Sequence, residues 1–302
     1  MYASVLPFSV RGIMQKTDKK NRKFWVFFFS IFLAIVLSFL AVGQIGALVT
    51  KDTLAFWRPD YPKVDITSLL YKQELTQEDY ALLYQQTGIT QIGIDDMRED
   101  AEGKRRILEI QDCLFADYDT YSEGFGLFTY TQDLGSKSAN QLSRLAQLRD
   151  GDVLVSTSML VSWWRLGHSA LVVDGENGMI LEAVQAGWIS EISSATTFNT
   201  RANFILLRPK VDVDIKRQVV DYAKQNLVGL KYDLTVGVLS KKYKKEPKKS
   251  HCGHIVWRAY KEFGIDIASD GGGIVTPEDM FYSECMEVVQ VFGLDLNLNK
   301  LW

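Results

Sequence analysis

Residues 167–185 read GHSALVVDGENGMILEAVQ. Two apolar runs, His168 to Asp174 and Met179 to Gln185, flank Gly175, Asn177 and Gly178, residue types that tolerate the backbone angles of a tight turn. The pattern predicts a β-hairpin. If the turn centres on Glu176, Ala170 faces Glu182 and His168 faces Val184, so His168, Ala170, Glu182 and Val184 share one face of the ladder. His168 and Glu182 are then diagonal neighbours with Cα atoms ~7 to 8 Å apart, a span that an imidazole and a long carboxylate bridge. A carboxylate behind a histidine fixes the ring tautomer and stabilises the imidazolium, which suits the histidine to act as a base. The competing reading is a solvated strand glutamate, since a register slip of one residue sends Glu182 to the opposite face.

Further short strands are expected at Asp152 to Ser156, Asn203 to Leu207 and Met286 to Val291, with a helix from Asp214 to Leu227. A basic loop follows, Lys241 to Lys249, broken by Pro247, and reads as a solvated segment with the charge to attract anionic lipid or cell-wall polymer. Cys252 then opens a helix in which Val256, Ala259, Tyr260 and Phe263 hold one phase, Arg258, Lys261 and Glu262 point away, and Gly264 is the stop. Thr276-Pro277-Glu278-Asp279 starts another short helix, with Thr as N-cap and Pro at the first helical position. The fold class is α+β: a small antiparallel sheet packed on the helix that begins with Cys252.

A cysteine at a helix N-terminus is where a thiol most readily ionises, because free backbone N–H groups and the helix dipole favour negative charge there. Cys252 is therefore the candidate nucleophile, against the alternative of a small buried hydrophobe. Only three histidines occur. His254 falls with Arg258 and Lys261 on the polar helix face, directed away from the cleft, and His251 is the immediate neighbour of Cys252, a relation that seldom lets two side chains face each other productively. His168 is left as the base, against the alternative of a structural strand histidine. Trp163, Trp164 and Trp188 lie near the expected cleft rim, where they would stack on substrate or belong to the core. Trp164, Trp188 and His251 are the candidate substrate contacts. No zinc spacing and no Gly-x-Ser-x-Gly elbow occurs, so neither a metal nor a cofactor is expected.

Of the 302 residues, 47% are hydrophobic and 24% charged, an ordinary globular composition. Residues 1–23 form a basic tail with six cations and one anion, which leaves 28 cations against 36 anions beyond it and argues against a nucleic-acid partner. From Phe24 to Val49 no residue is charged. As a helix that stretch would run roughly 39 Å at ~1.5 Å per residue, enough to cross a ~30 Å hydrocarbon layer. The cations before it place the N-terminus in the cytoplasm and the remainder outside. A cleaved secretory signal ending near Ala41-Val42-Gly43 is the competing reading, and it exports the body equally. The expected organisation is a cytoplasmic tail (1–23), a transmembrane signal-anchor (24–49), a stalk and helical accessory segment (50–148) and a catalytic domain (149–302). In the accessory segment, Trp57 to Asp65 reads as an extended stalk. Helices are expected from an N-cap at Thr76 to a stop at Gly88, from Gln91 to Glu99 and from Arg105 to Phe115. The odd count of three cysteines leaves at least one thiol unpaired in an exported protein, with a Cys113 to Cys285 bridge open.

Gly151-Asp152-Val153-Leu154, Gly167-His168-Ser169-Ala170, Ile180-Leu181-Glu182-Ala183 and Cys252 with Val256-Trp257-Arg258-Ala259-Tyr260 together resemble the circularly permuted branch of the NlpC-type, papain-like cysteine hydrolases, the YiiX-like bacterial members above all. The resemblance covers residues 149 to 291. Its telling feature is order, with the histidine strand first and the cysteine helix last. It implies a permuted papain-like fold, a catalytic set of Cys252, His168 and Glu182, and a membrane-anchored, extracytoplasmic enzyme that cleaves an amide, most simply in cell-wall peptides. The sequence departs from that pattern at Gly253-His254, where relatives more often carry a small polar and an acidic residue. Two alternatives stay open. His251-Cys252-Gly253-His254 is similar to the cysteine motif of lecithin:retinol acyltransferases, which implies a lipid-like amide or ester substrate, although those relatives usually carry a second histidine where this chain has Glu182. An inactive binding module is the other.

Overall fold

A 43-residue helix, α1 (Phe8–Thr50), opens the computed structural model, which describes residues 8–50, 56–125, 129–136, 143–161 and 164–297. Within α1, Arg22–Gly46 has a mean hydropathy of 2.7 and is almost wholly exposed, so it is long and apolar enough to cross a membrane.

Four helices follow: α2 (Thr67–Leu70), α3 (Gln77–Thr87), α4 (Gln91–Met97) and α5 (Ala101–Leu114). The limits of α3 are set locally, as expected. The Thr76 side chain accepts from Asp79 N–H (3.2 Å), Asp79 returns the bond to Thr76 N–H (3.0 Å), and Gly88 closes the helix at φ +71°. The segment before α2 is irregular but is no free stalk: Phe56 packs on Tyr118 and Phe292, and Trp57 N–H donates to Gly293 C=O. The accessory segment also holds strands that its polar sequence does not announce. These are β1 (Tyr118–Phe125) and β2 (Thr129–Ser136), which pair with each other and then with β4 (Met159–Val161).

The main sheet has six strands in the order β11-β8-β3-β5-β6-β7, all antiparallel. They are β3 (Val153–Ser156), β5 (His168–Asp174), β6 (Met179–Glu182), β7 (Glu191–Ser194), β8 (Phe204–Pro209) and β11 (Met286–Phe292). Two-residue strands β9 (Lys231–Tyr232) and β10 (Lys249–Ser250) form a separate parallel pair. The expected hairpin is present with its register: Ala170 pairs with Glu182, Leu171 with Leu181 and Val172 with Ile180, and a bulge before Asp174 takes up the turn.

Both faces of this sheet are covered, and period-two alternation divides its side chains between two cores. Val153, Val155, Leu171, Val173, Leu181, Ile205 and Leu207 face the helices α6 (Val213–Asn226) and α7 (Cys252–Lys261). Leu154, Ala170, Val172, Ile180, Phe204 and Leu206 face Leu83, Ile94, Ile107 and Ile110 of α3 to α5. The last helix, α8 (Pro277–Phe281), begins with a second capping box between Thr276 and Asp279. The chain is thus a mixed α+β structure built on antiparallel strands. No disulfide joins Cys113, Cys252 and Cys285, so the Cys113 to Cys285 bridge does not form.

Candidate active site

Three elements bring the expected catalytic residues together. His168 is the first residue of β5, placed there by Gly167, whose φ of +68° turns the chain and whose missing side chain leaves room for Ser156 C=O, 2.3 Å from where a Cβ would stand. Glu182 ends β6 on the same face of the hairpin. Its Oε2 lies 2.7 Å from His168 Nε2, and Ser193 Oγ, from β7, donates to its Oε1. Phe198 stacks on the imidazole at 5.8 Å between centroids and 24° between planes, so the ring is fixed in plane as well as in tautomer. Since a carboxylate only accepts, Nε2 carries the proton and Nδ1 is the nitrogen left for the thiol. Nδ1 is buried and has no nitrogen or oxygen partner.

Cys252 is the first residue of α7, where the first intrahelical bond runs from Ile255 N–H to His251 C=O. The N–H groups of Cys252 and Gly253 lie before that bond, at the positive end of the helix. Gly253 is required by packing: a Cβ there would stand 1.9 Å from Val275 C=O.

The electrostatics follow from these neighbours. Burial works to raise the Cys252 pKa, but the His168 and His251 imidazoles outweigh it and bring the thiol from its usual 9.0 down to about 5. For His168, burial works to lower the pKa, and Cys252 and Glu182 outweigh it to raise the ring from 6.5 to about 9. Burial likewise opposes the Glu182 carboxylate, yet His168, Ser193 and the Arg201 charge hold it below the usual range. Both shifts run in the direction that moves the thiol proton towards His168, with the Glu182 carboxylate behind the ring. Tyr232 of β9 also faces the sulfur, and burial together with the Cys252 charge keeps its hydroxyl protonated.

The other residues named from sequence sort as follows. Trp164 and Trp188 are 61% and 53% exposed, so neither belongs to the core. Trp188 C=O accepts from Tyr232 N–H, which puts Trp188 next to the residue that faces Cys252. Trp163 lies outside the described residues. The expectation that His254 and Arg258 sit on a solvated helix face is corrected, because both are buried beneath the lysine loop. His254 Nε2 meets Lys242 C=O (2.8 Å) and its Nδ1 meets Ser250 Oγ (2.9 Å), while Arg258 donates to Lys244 C=O and Lys245 C=O and pairs with Glu262. Main-chain carbonyls of a polar loop are good acceptors, so a loop that reads as solvated folds over the helix. Burial, with the nearby charges of His251, Arg258 and Lys242, lowers the His254 pKa to about 4 and keeps it neutral. His251 also differs from expectation. Although adjacent in sequence, its imidazole and the Cys252 thiol do interact.

Sequence reasoning missed Ser193, Phe198 and Tyr232. Only Ser193 left a signal: once β7 pairs with β6, Ser193 faces Ile180, whose side chain shares the Glu182 face.

One cavity, of about 970 Å³, lies at the other end of β5, against the turn Gly175 to Gly178, and touches none of Cys252, His168 and Glu182. A second of about 530 Å³ is lined by Lys241, Lys242, Lys244, Lys248, Lys249 and His254. Among the described residues no three His, Cys, Asp or Glu side chains converge in a way that could hold a metal ion. In comparisons with known proteins, no family model, no curated protein and no solved structure matches this chain.

Proposed function

We propose that this chain is a membrane-anchored cysteine hydrolase of the permuted papain-like type, facing the outside of the cell, with Cys252 as nucleophile, His168 as base and Glu182 as the residue that orients His168. One observation carries the reading: a thiol buried at the first residue of a helix, beside an imidazole whose Nε2 is 2.7 Å from a carboxylate, an environment that favours the thiolate. A cysteine that merely filled space would be pushed up by burial, as Cys113 is. Strand β5 with its histidine preceding helix α7 with its cysteine is the permuted order, which supports the fold assignment.

The chemistry follows from the ion pair. The thiolate attacks an acyl carbonyl, a C–S bond forms, and the carbonyl π electrons move to oxygen. As the tetrahedral species collapses, His168 gives its proton to the leaving amine. Water, deprotonated by the now neutral His168, then hydrolyses the thioester and returns the thiol. An amide in cell-wall peptides is the substrate that best suits an exported, anchored enzyme. A lipid-like ester is the second reading, favoured by the exposed Trp188, Ile189, Val238 and Leu239 in segments that adjoin β9 and the lysine loop.

The test is mass spectrometry of peptidoglycan fragments and of phospholipid vesicles incubated with the full chain in detergent. Cleavage of wall peptides by the native protein but not by Cys252→Ala supports the first reading. Acyl release from vesicles alone supports the second. No Cys252-dependent product from either removes the hydrolase assignment.

A further inference from the structure

His251 is a firmly placed group at this site whose part in the chemistry is open. It is the N-cap of α7: its Nδ1 accepts from His254 N–H at 3.3 Å, with the backbone extended at φ −128°, ψ 173°. That bond engages the Nδ1 lone pair, so the neutral ring carries its proton on Nε2. The residue is only 2% exposed, and Nε2 has no nitrogen or oxygen partner. A buried N–H left without a partner loses its hydration and gains nothing in return, and such groups in a native protein call for an explanation. Capping does not supply one, because Ser, Thr, Asp and Asn cap well with a short oxygen and bring no second buried donor. The ring cannot swing away cheaply either. It lies 5.7 Å between centroids from His254, itself pinned by Ser250 and Lys242.

We propose that His251 is a second imidazole serving the nucleophile: its Nε2–H is held beside the Cys252 thiol at rest and donates to the carbonyl oxygen once attack moves the negative charge there. This rests on the cysteine-hydrolase reading and deepens it by naming a side-chain donor for the oxyanion. The cap bond provides the rigidity, since the nitrogen that holds the helix end aims the other at the reacting atoms. The depressed Cys252 pKa is consistent with it, His251 being named beside His168 among its causes. The groups facing the sulfur are His168 from β5, His251 at the cap and Tyr232 from β9, and Tyr232 stays neutral.

The test needs no substrate. Iodoacetamide alkylation of Cys252 is followed against pH by peptide mass spectrometry on the full chain in detergent, for the native protein, His251→Ser, His251→Gln and His168→Ala. Serine keeps a cap acceptor and removes the distal N–H, whereas glutamine restores an amide N–H at similar reach. The expected result is an alkylation midpoint well below that of an ordinary thiol, raised by at least one pH unit in His251→Ser and partly restored in His251→Gln, with thermal midpoints close to native in both. An unchanged midpoint in His251→Ser overturns the proposal, as does an equal rise in both variants accompanied by loss of thermal stability, which assigns His251 to the cap alone. A native midpoint near 8.5, the value of a free thiol, removes the hydrolase reading itself. A low native midpoint that only His168→Ala moves removes the role of His251 and leaves that reading intact.

Discussion

Replacing Glu182 by Gln removes one charge and almost no atoms. The amide oxygen can still accept from His168 Nε2, and the amide N–H₂ can donate to Ser193 Oγ, so the hairpin and the stacked Phe198 stay in place. What is lost is the carboxylate's preference for a charged ring. A hydrogen bond to a charged partner contributes about 1.5–3 kcal/mol, which at ~1.4 kcal/mol per pKa unit is about one to two units. His168 should therefore fall from about 9 by that amount, and the Cys252 thiol should rise from about 5 in step, since each ion stabilises the other. In the native protein the thiolate is lost as pH falls through the lower value, and the imidazolium proton is lost as pH rises through the upper one, so reactivity is greatest between them. Glu182→Gln should narrow that window from both sides and lower turnover about 10²-fold or more. Alkylation of Cys252 across the pH range reads the acid limb, and NMR of ¹³C-labelled His168 reads the alkaline limb. An imidazole pKa that does not move in Glu182→Gln would refute the reasoning, because the carboxylate would then have no energetic hold on the ring.

Gly253→Ala must push the start of α7 away from Val275 C=O, a backbone group that cannot yield, and should cost about 2–4 kcal/mol in urea unfolding, with Cys252 reactivity falling as the helix end shifts. His254, with its pKa lowered to about 4, stays neutral in the fold while the unfolded chain takes up a proton below about 6.5. Stability is thus lost as pH falls from 6.5 to 4, by about 3 kcal/mol, and His254→Gln should lack that share of the slope when the two pH profiles are subtracted. On the proposed orientation, with the cations before the apolar span held in the cytoplasm, a reporter fused at the C-terminus should be active outside the cytoplasm and silent within it. Cytoplasmic activity would invert the proposed orientation.

How far the sequence could be read depended on how local the deciding physics was. Thr76 and Thr276 were legible as N-caps because the capping boxes they form with Asp79 and Asp279 close within four residues. The pairing of Ala170 with Glu182 was legible because a short turn leaves few registers, and it carried His168 and Glu182 onto one face. The β1, β2 and β4 sheet was not: Tyr118–Phe125 and Thr129–Ser136 hold many polar residues and show no clear apolar alternation. The burial of His254 and Arg258 was equally hidden, since helical phase shows only that they share a face, and the cover is a lysine loop whose carbonyls do the bonding. For His251, chain adjacency argued against a meeting with Cys252. An extended cap residue turns its side chain back over the first helical turn, and that geometry is set by α7 as a whole.

The sandwiching of one sheet between two cores also bears on how the chain can be made. Thr90 Oγ1, at the start of α4, donates to Val288 C=O in β11, a contact spanning 198 residues, and Val289 packs in the core with Leu83, Ile94 and Ile107. The helices synthesised first are thus completed by nearly the last strand to emerge. Until β11 emerges their cover is incomplete, and a nascent chain halted before residue 286 would hold a sheet with an open edge at β8 and an unfinished core beneath it. Premature termination anywhere upstream of β11 should therefore give a sticky, protease-sensitive product rather than a shortened but folded chain.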